Sequence, residues 1–121
     1  MISIPADAEP VVPIPERTPR AVRAAVARLD PGSLPRFESE WTAATALARD
    51  EYSVMPVQLF IERWWLWAAV RRWPELAERL RACERRAAGT ADLADARAAS
   101  VEIGEILGVA AHAAGALSGV P

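Results

Sequence analysis

The stretch SVMPVQLFIERWWLWAAVRRW, running from Ser53 to Trp73, decides the fold. Within about one helix length it holds Trp64, Trp65, Trp67 and Trp73, four of the chain's five tryptophans, with Phe60 and a run of aliphatics. At about 100° per residue, Val57, Phe60, Ile61, Trp64, Trp67 and Ala68 share one broad apolar face. Leu59, Leu66, Val70 and Trp73 make a second stripe on the opposite side. Only Gln58, Glu62, Arg63, Arg71 and Arg72 interrupt the two. A helix with one face in water needs a single stripe. Full burial of a large apolar side chain is worth about 1.5–3 kcal/mol, so a second stripe left in solvent would forgo much stability. The segment is expected to be covered on both sides, by its own chain or by a partner.

Downstream, Trp73-Pro74 breaks or kinks this helix, because a residue before proline is pushed out of the helical region. Pro74 can open the next helix, with Leu76, Leu80, Cys83 and Ala87 as its buried stripe. Glu75–Arg79 and Glu78–Arg81 are spaced to pair on its exposed side. Gly89 ends that helix and Thr90 caps another. In the last segment Leu93, Ala96, Ser100, Ile103, Leu107, Ala110, Ala114 and Leu117 alternate three and four apart, a heptad-like seam of mostly small residues. Gly104, Gly108, Gly115 and Gly119 each cost about 1 kcal/mol of helix propensity relative to alanine. One helix is expected from about Ala91 to Leu107, fraying or breaking beyond it.

Upstream, Ser53 caps the central helix and Pro56 sits in its first turn. Before it, Phe37, Trp41, Ala44 and Ala48 share a face, with Leu47 beside them, on a helix capped by Ser33 and ending near Glu51. Thr18-Pro19 starts an earlier helix striped by Val22, Val26 and Leu29, which Asp30-Pro31-Gly32 stops. Residues 1–17 carry Pro5, Pro10, Pro13 and Pro15 and read as an extended arm. A mobile tail is the expected state, with Val11, Val12 and Ile14 available to lay it on a surface. Period-two alternation and hairpin turns are missing. The expectation is an all-α protein, a compact bundle of four to five helices around the Trp-rich one. It is expected to form a single helical domain over residues 18–121, made of core helices at 18–88 and an Ala/Gly-rich helical segment at 90–121.

The chain of 121 residues has a net charge of −2, which gives no global attraction to nucleic acid or anionic membrane. No stretch is long and apolar enough to span a bilayer and no signal sequence opens the chain, so a cytoplasmic protein is expected. Cys83 is the only cysteine, excluding an intramolecular disulfide and a cysteine-based zinc site. It reads as a small buried hydrophobe. His112 stands alone in an alanine run, and Glu38/Glu40 and Asp50/Glu51 read as solvated helix positions. No phosphate loop or paired-histidine motif occurs. Neither catalytic residues, nor a cofactor, nor a metal is expected. Residues 61–90 carry seven arginines against Glu62, Glu75, Glu78 and Glu84. Of these arginines, Arg71, Arg72, Arg79, Arg81, Arg85 and Arg86 are the positions that would contact phosphates if the chain bound nucleic acid.

Taken in order, PRAVRAAV, SLPRFESEW and YSVMPVQLFIERWWLWA, followed by a proline and an arginine-rich helix, resemble a group of short actinobacterial proteins classed as a domain of unknown function. The likeness covers about residues 18–87 and rests on three motifs. These are Arg20 and Arg23; Phe37, Glu38, Glu40 and Trp41; and Glu62, Arg63, Trp64 and Trp65. Some members resemble antitoxin-side partners of small RelE- or ParE-like toxins. The resemblance implies a binding protein without catalytic residues, whose toxin-contacting segment is often C-terminal.

The function expected is therefore that of a non-enzymatic helical interaction module, whose partner is a second copy or a small toxin-like protein. Its core and interface residues would be Leu59, Arg63, Trp64, Trp65, Leu66, Trp67, Val70 and Trp73. The alternative is a nucleic-acid-linked regulator acting through the arginines of 71–86.

Overall fold

In a computed structural model describing residues 2–115, the chain is all-α. Five helices follow in order: α1 Pro19–Leu29, α2 Leu34–Glu51, α3 Met55–Arg71, α4 Pro74–Gly89 and α5 Leu93–Ala113. A single 3₁₀ turn, Pro31–Ser33, joins α1 to α2, and no strand occurs among the described residues. The helix number and class match the expectation. The chain divides into two compact units. One is Val12–Ala68; the other joins the residues through Val11 to those from Ala69 onward, so the division falls inside α3.

In Val12–Ala68, Thr18 caps α1 by accepting the Ala21 N–H at 3.2 Å, and Pro19 takes the first helical position. Val22, Ala25 and Val26 are buried. Ser33 does not cap α2 as expected: its backbone is already helical and its hydroxyl donates to Asp30 at 2.7 Å, closing the turn instead. At the other end of α2, Tyr52 adopts the left-handed conformation (φ 52°). The Ser53 N–H then reaches back to the Ala48 carbonyl at 3.0 Å, a helix stop that normally uses glycine. Ser53 opens α3 by accepting the Met55 N–H. Phe37 meets Trp64 while Trp41 meets Phe60, so α2 and α3 run antiparallel. Residues 12–17 lie along α3 rather than apart from it. Val12 is buried, Pro15 accepts the Trp65 indole N–H at 3.0 Å, and Arg17 stacks on the Trp65 ring and pairs with Glu62.

In the other unit, the Val11 N–H donates to the Arg72 carbonyl. Trp73 is extended (φ −107°, ψ 102°), as a residue before proline must be, and Pro74 begins α4. Leu76, Ala77, Leu80 and Cys83 are buried on α4, and Ala99, Ile106 and Ala110 on α5, which packs against it. Arg79 meets Glu102 and Arg86 meets Asp95, so these two helices are also antiparallel. Three expectations are corrected. Asp92, not Thr90, caps α5 by accepting the Ala94 N–H, and Thr90 accepts the Asp92 N–H one step earlier. The helix continues past Leu107 to Ala113, because Ile106 and Ala110 are fully buried and outweigh the cost of Gly108. The buried line is rotated from the expected seam, leaving Leu93 and Ser100 exposed; Leu117 and Gly119 lie outside the described residues.

Candidate interaction surface

The aromatic heart of α2 and α3 is built from Phe37, Trp41, Phe60, Trp64 and Trp67. Phe37 and Phe60 rings lie 5.0 Å apart, Phe37 meets Trp64 nearly edge-on at 5.3 Å, and Trp67 stands 5.3 Å from Trp64. Tilted and edge-on pairs of this kind each add about 0.5–1.5 kcal/mol beyond burial. Trp64 is buried with its indole N–H satisfied by Glu40 at 3.0 Å.

Glu40 is the organiser that the sequence reading placed in solvent. Besides Trp64 it accepts from the Arg63 guanidinium and faces Arg36 at 3.8 Å, and Arg36 in turn lies over the Trp64 ring. Its side chain is only about one third exposed. Charge-assisted bonds to a partly dry carboxylate are the stronger kind. The signal was the opposite charge of Glu40 and Arg63, each next to a tryptophan, on two helices that must touch.

The remaining expected residues separate into three groups. Trp65 and Val70 are buried, the first under Pro15 and Arg17. Leu66, Trp67 and Trp73 are half-buried. Leu59 and Arg63 face solvent, Leu59 at 61 % exposure. The second stripe of α3 is thus covered toward its C-terminal end and open at Leu59.

Leu59 borders a groove of about 390 Å³ between α2 and α3. From α2 it is lined by Glu40, Ala43, Ala44 and Leu47. From α3 come Pro56, Leu59, Phe60 and Arg63. Both sets follow the i, i+3, i+4, i+7 spacing of a helix face that meets another helix. The sequence reading put Ala44 on a buried face with Leu47 beside it; Phe37 of that face is buried and Ala44 half-buried, while Ala43 and Leu47 stay exposed along the groove.

The six arginines proposed for phosphate contact are mostly engaged. Arg79 pairs with Glu102, Arg86 with Asp95, and both Arg81 and Arg85 with Glu78. Arg72 is buried with its guanidinium against the Trp73 ring, and burial lowers its pKa. Arg71 is half-buried. The expected Glu75–Arg79 pair gives way to Glu102, which α5 brings over Arg79.

Cys83 is buried, as expected, and donates its S–H to Glu102 at 2.8 Å. Burial, then the Glu102 hydrogen bond and charge, push its pKa up and keep it a thiol. The same bond and the Arg79 guanidinium hold the Glu102 carboxyl below the usual range. His112 is exposed near the end of α5. Among the described residues no cluster of three His, Cys, Asp or Glu could hold a metal, and no helix is long and apolar enough to cross a membrane.

An all-helical chain with a Trp-rich central helix and an open helical groove is the class the fold and surface define. The chain belongs to a family of unknown function, DUF6247, whose model matches residues 10–108. The match contains the three motifs and extends beyond the 18–87 likeness into α5. No curated protein and no solved structure matches the chain.

Proposed function

We propose that this chain is a non-enzymatic helical interaction module. The observation that carries the reading is the groove between α2 and α3, apolar along its floor and flanked by an exposed Leu59. A helical face at contact spacing left open to water is what a protein partner would cover. The state of the reactive groups supports the same reading: the lone thiol is buried and protonated, and Glu38, Glu40 and Glu102 are each tied to an arginine. A finer form, an antitoxin-like partner of a small toxin, rests on the motif resemblance alone; that it acts in the cytoplasm is part of this proposal and rests on the sequence composition instead. The test is retrieval of the tagged full chain from its host, followed by native mass spectrometry. A companion protein, or a second copy, at near-unit stoichiometry supports the proposal; a monomer retrieved alone overturns it.

The nucleic-acid alternative has less to work with, since Arg79, Arg81, Arg85 and Arg86 already face carboxylates. We expect duplex DNA mobility to be unchanged by micromolar protein at low salt. A shift that weakens steeply with added salt would reinstate that alternative.

A further inference from the structure

A buried guanidinium without a counter-ion is the anomaly of the unit that contains α4 and α5. Arg72 is only 6 % exposed, and its Nε is closed to water with no hydrogen-bond partner among the described residues. Burial alone shifts its pKa, downward, and no carboxylate of the described residues offsets that shift. A charge taken out of water is costly unless an opposite charge meets it. The guanidinium lies 4.8 Å from the centre of the Trp73 ring. The Trp73 indole N–H is a second buried donor with no acceptor among the described residues. Buried donors in native proteins nearly always have partners, so two orphans on stacked neighbours point to an acceptor from outside the chain.

The Trp73 ring is also one wall of a cavity of about 220 Å³. Ile4 and Ala8 of the arm and Leu76 of α4 add to its apolar lining. The first residues of α4, Pro74 to Leu76, border it. No side chain caps that helix, and Pro74 has no N–H to give. The Glu75 and Leu76 N–H groups precede the first intrahelical donor, Ala77, so they too are left for another acceptor. A helix N-terminus carries partial positive charge as well. Water takes up ~30 Å³ a molecule, so the cavity has room for about seven non-hydrogen atoms. Glu9 and Glu75 line it too, and both are exposed. Two carboxylates on the water side disfavour a doubly charged guest such as phosphate and leave room for one negative charge.

We propose that this cavity binds a small organic monocarboxylate. Its charge is balanced by Arg72, its oxygens take up the N–H groups of Trp73, Glu75 and Leu76, and its apolar body lies against Ile4 and Leu76. This goes beyond the interaction reading above and does not depend on it.

The experiment is an amide-resolved NMR titration of the full chain with 3-methylbutanoate, beside 3-methylbutylamine as a cation of the same shape. We expect saturable shifts of the Glu75 and Leu76 amides with the carboxylate, at a Kd on the order of 1 mM, and none with the amine. Trp73→Phe keeps a ring and removes the donor, and should weaken binding by about tenfold. Arg72→Met should abolish saturation up to about 20 mM, and circular dichroism checks that it is folded. If it is not, Trp73→Phe decides alone. The proposal is overturned by a carboxylate that does not saturate up to about 20 mM, or by an amine that saturates equally. Unchanged affinity in a folded Arg72→Met, or in Trp73→Phe, overturns it too. None of these outcomes bears on the partner experiment above.

Discussion

Glu102 ties a thiol to a guanidinium. It accepts from Cys83 at 2.8 Å and from Arg79 at 3.3 Å, and both favour its ionised form. Its folded-state pKa is therefore lower than in the unfolded chain, where it starts near 4.5. The unfolded state takes up this proton first as pH falls. The stabilisation is present in full above that value and is lost as pH drops through the folded one. Glu102→Gln should flatten this acid limb, read as a smaller fall in the urea midpoint between pH 7 and pH 3 than in the native chain. Cys83 works in the opposite direction. Its pKa is raised above the usual 9.0, so its contribution holds below that value and fades at higher pH, as the unfolded thiol ionises. Sequence alone placed Cys83 in the core, because it falls on a stripe with Leu76 and Leu80. It could not foresee the partner nineteen residues away, which only the α4–α5 pairing brings near.

At the scale of the helix, proline-marked boundaries were legible, caps were legible at Thr18 and Ser53 but not at Ser33 or Thr90, and rotations were not. Thr18-Pro19, Trp73-Pro74 and the Asp30-Pro31-Gly32 stop act through backbone chemistry that needs no tertiary partner, and all three stand where the sequence placed them. The buried line of α5 was misread by a fraction of a turn. An alanine-rich helix offers little contrast between its faces, so the choice falls to the partner helix α4, which selects Ala99, Ile106 and Ala110. The same choice leaves Gly104 and Gly108 exposed, with open space where a Cβ would stand. They do not serve close helix approach. Gly104→Ala and Gly108→Ala should each stabilise the chain by about 1 kcal/mol, raising the thermal midpoint by a few degrees in circular dichroism. The arm was read as a free tail because prolines forbid regular structure, but that rule is silent about docking. Pro15 offers an unused carbonyl, and Trp65 has an indole N–H to satisfy once buried.

For the chain as a whole, composition gave the class, and chain pairing gave the charge pattern. Seven arginines in residues 61–90 looked like a basic patch. Folding brings Glu102 and Asp95 from α5 onto it, and Glu40 from α2 onto Arg63. All of these ion pairs retain solvent access on at least one side chain, and exposed pairs are worth about 0–1 kcal/mol each and weaken with salt. Apolar burial must therefore dominate stability. Raising sodium chloride from 50 to 500 mM should move the urea-unfolding free energy by no more than about 1–2 kcal/mol; a larger fall would mean that the arginine network, and not the aromatic cluster, holds the helices together.

Tyr52 is the sole tyrosine of the chain, and its ring stands almost wholly clear of its own molecule. Nitration or iodination of tyrosine would thus mark a single known spot, at the turn between α2 and α3, without touching any tryptophan-lined interior. A chromophore fixed there would report on that turn alone, making the odd residue of a helix stop a built-in label.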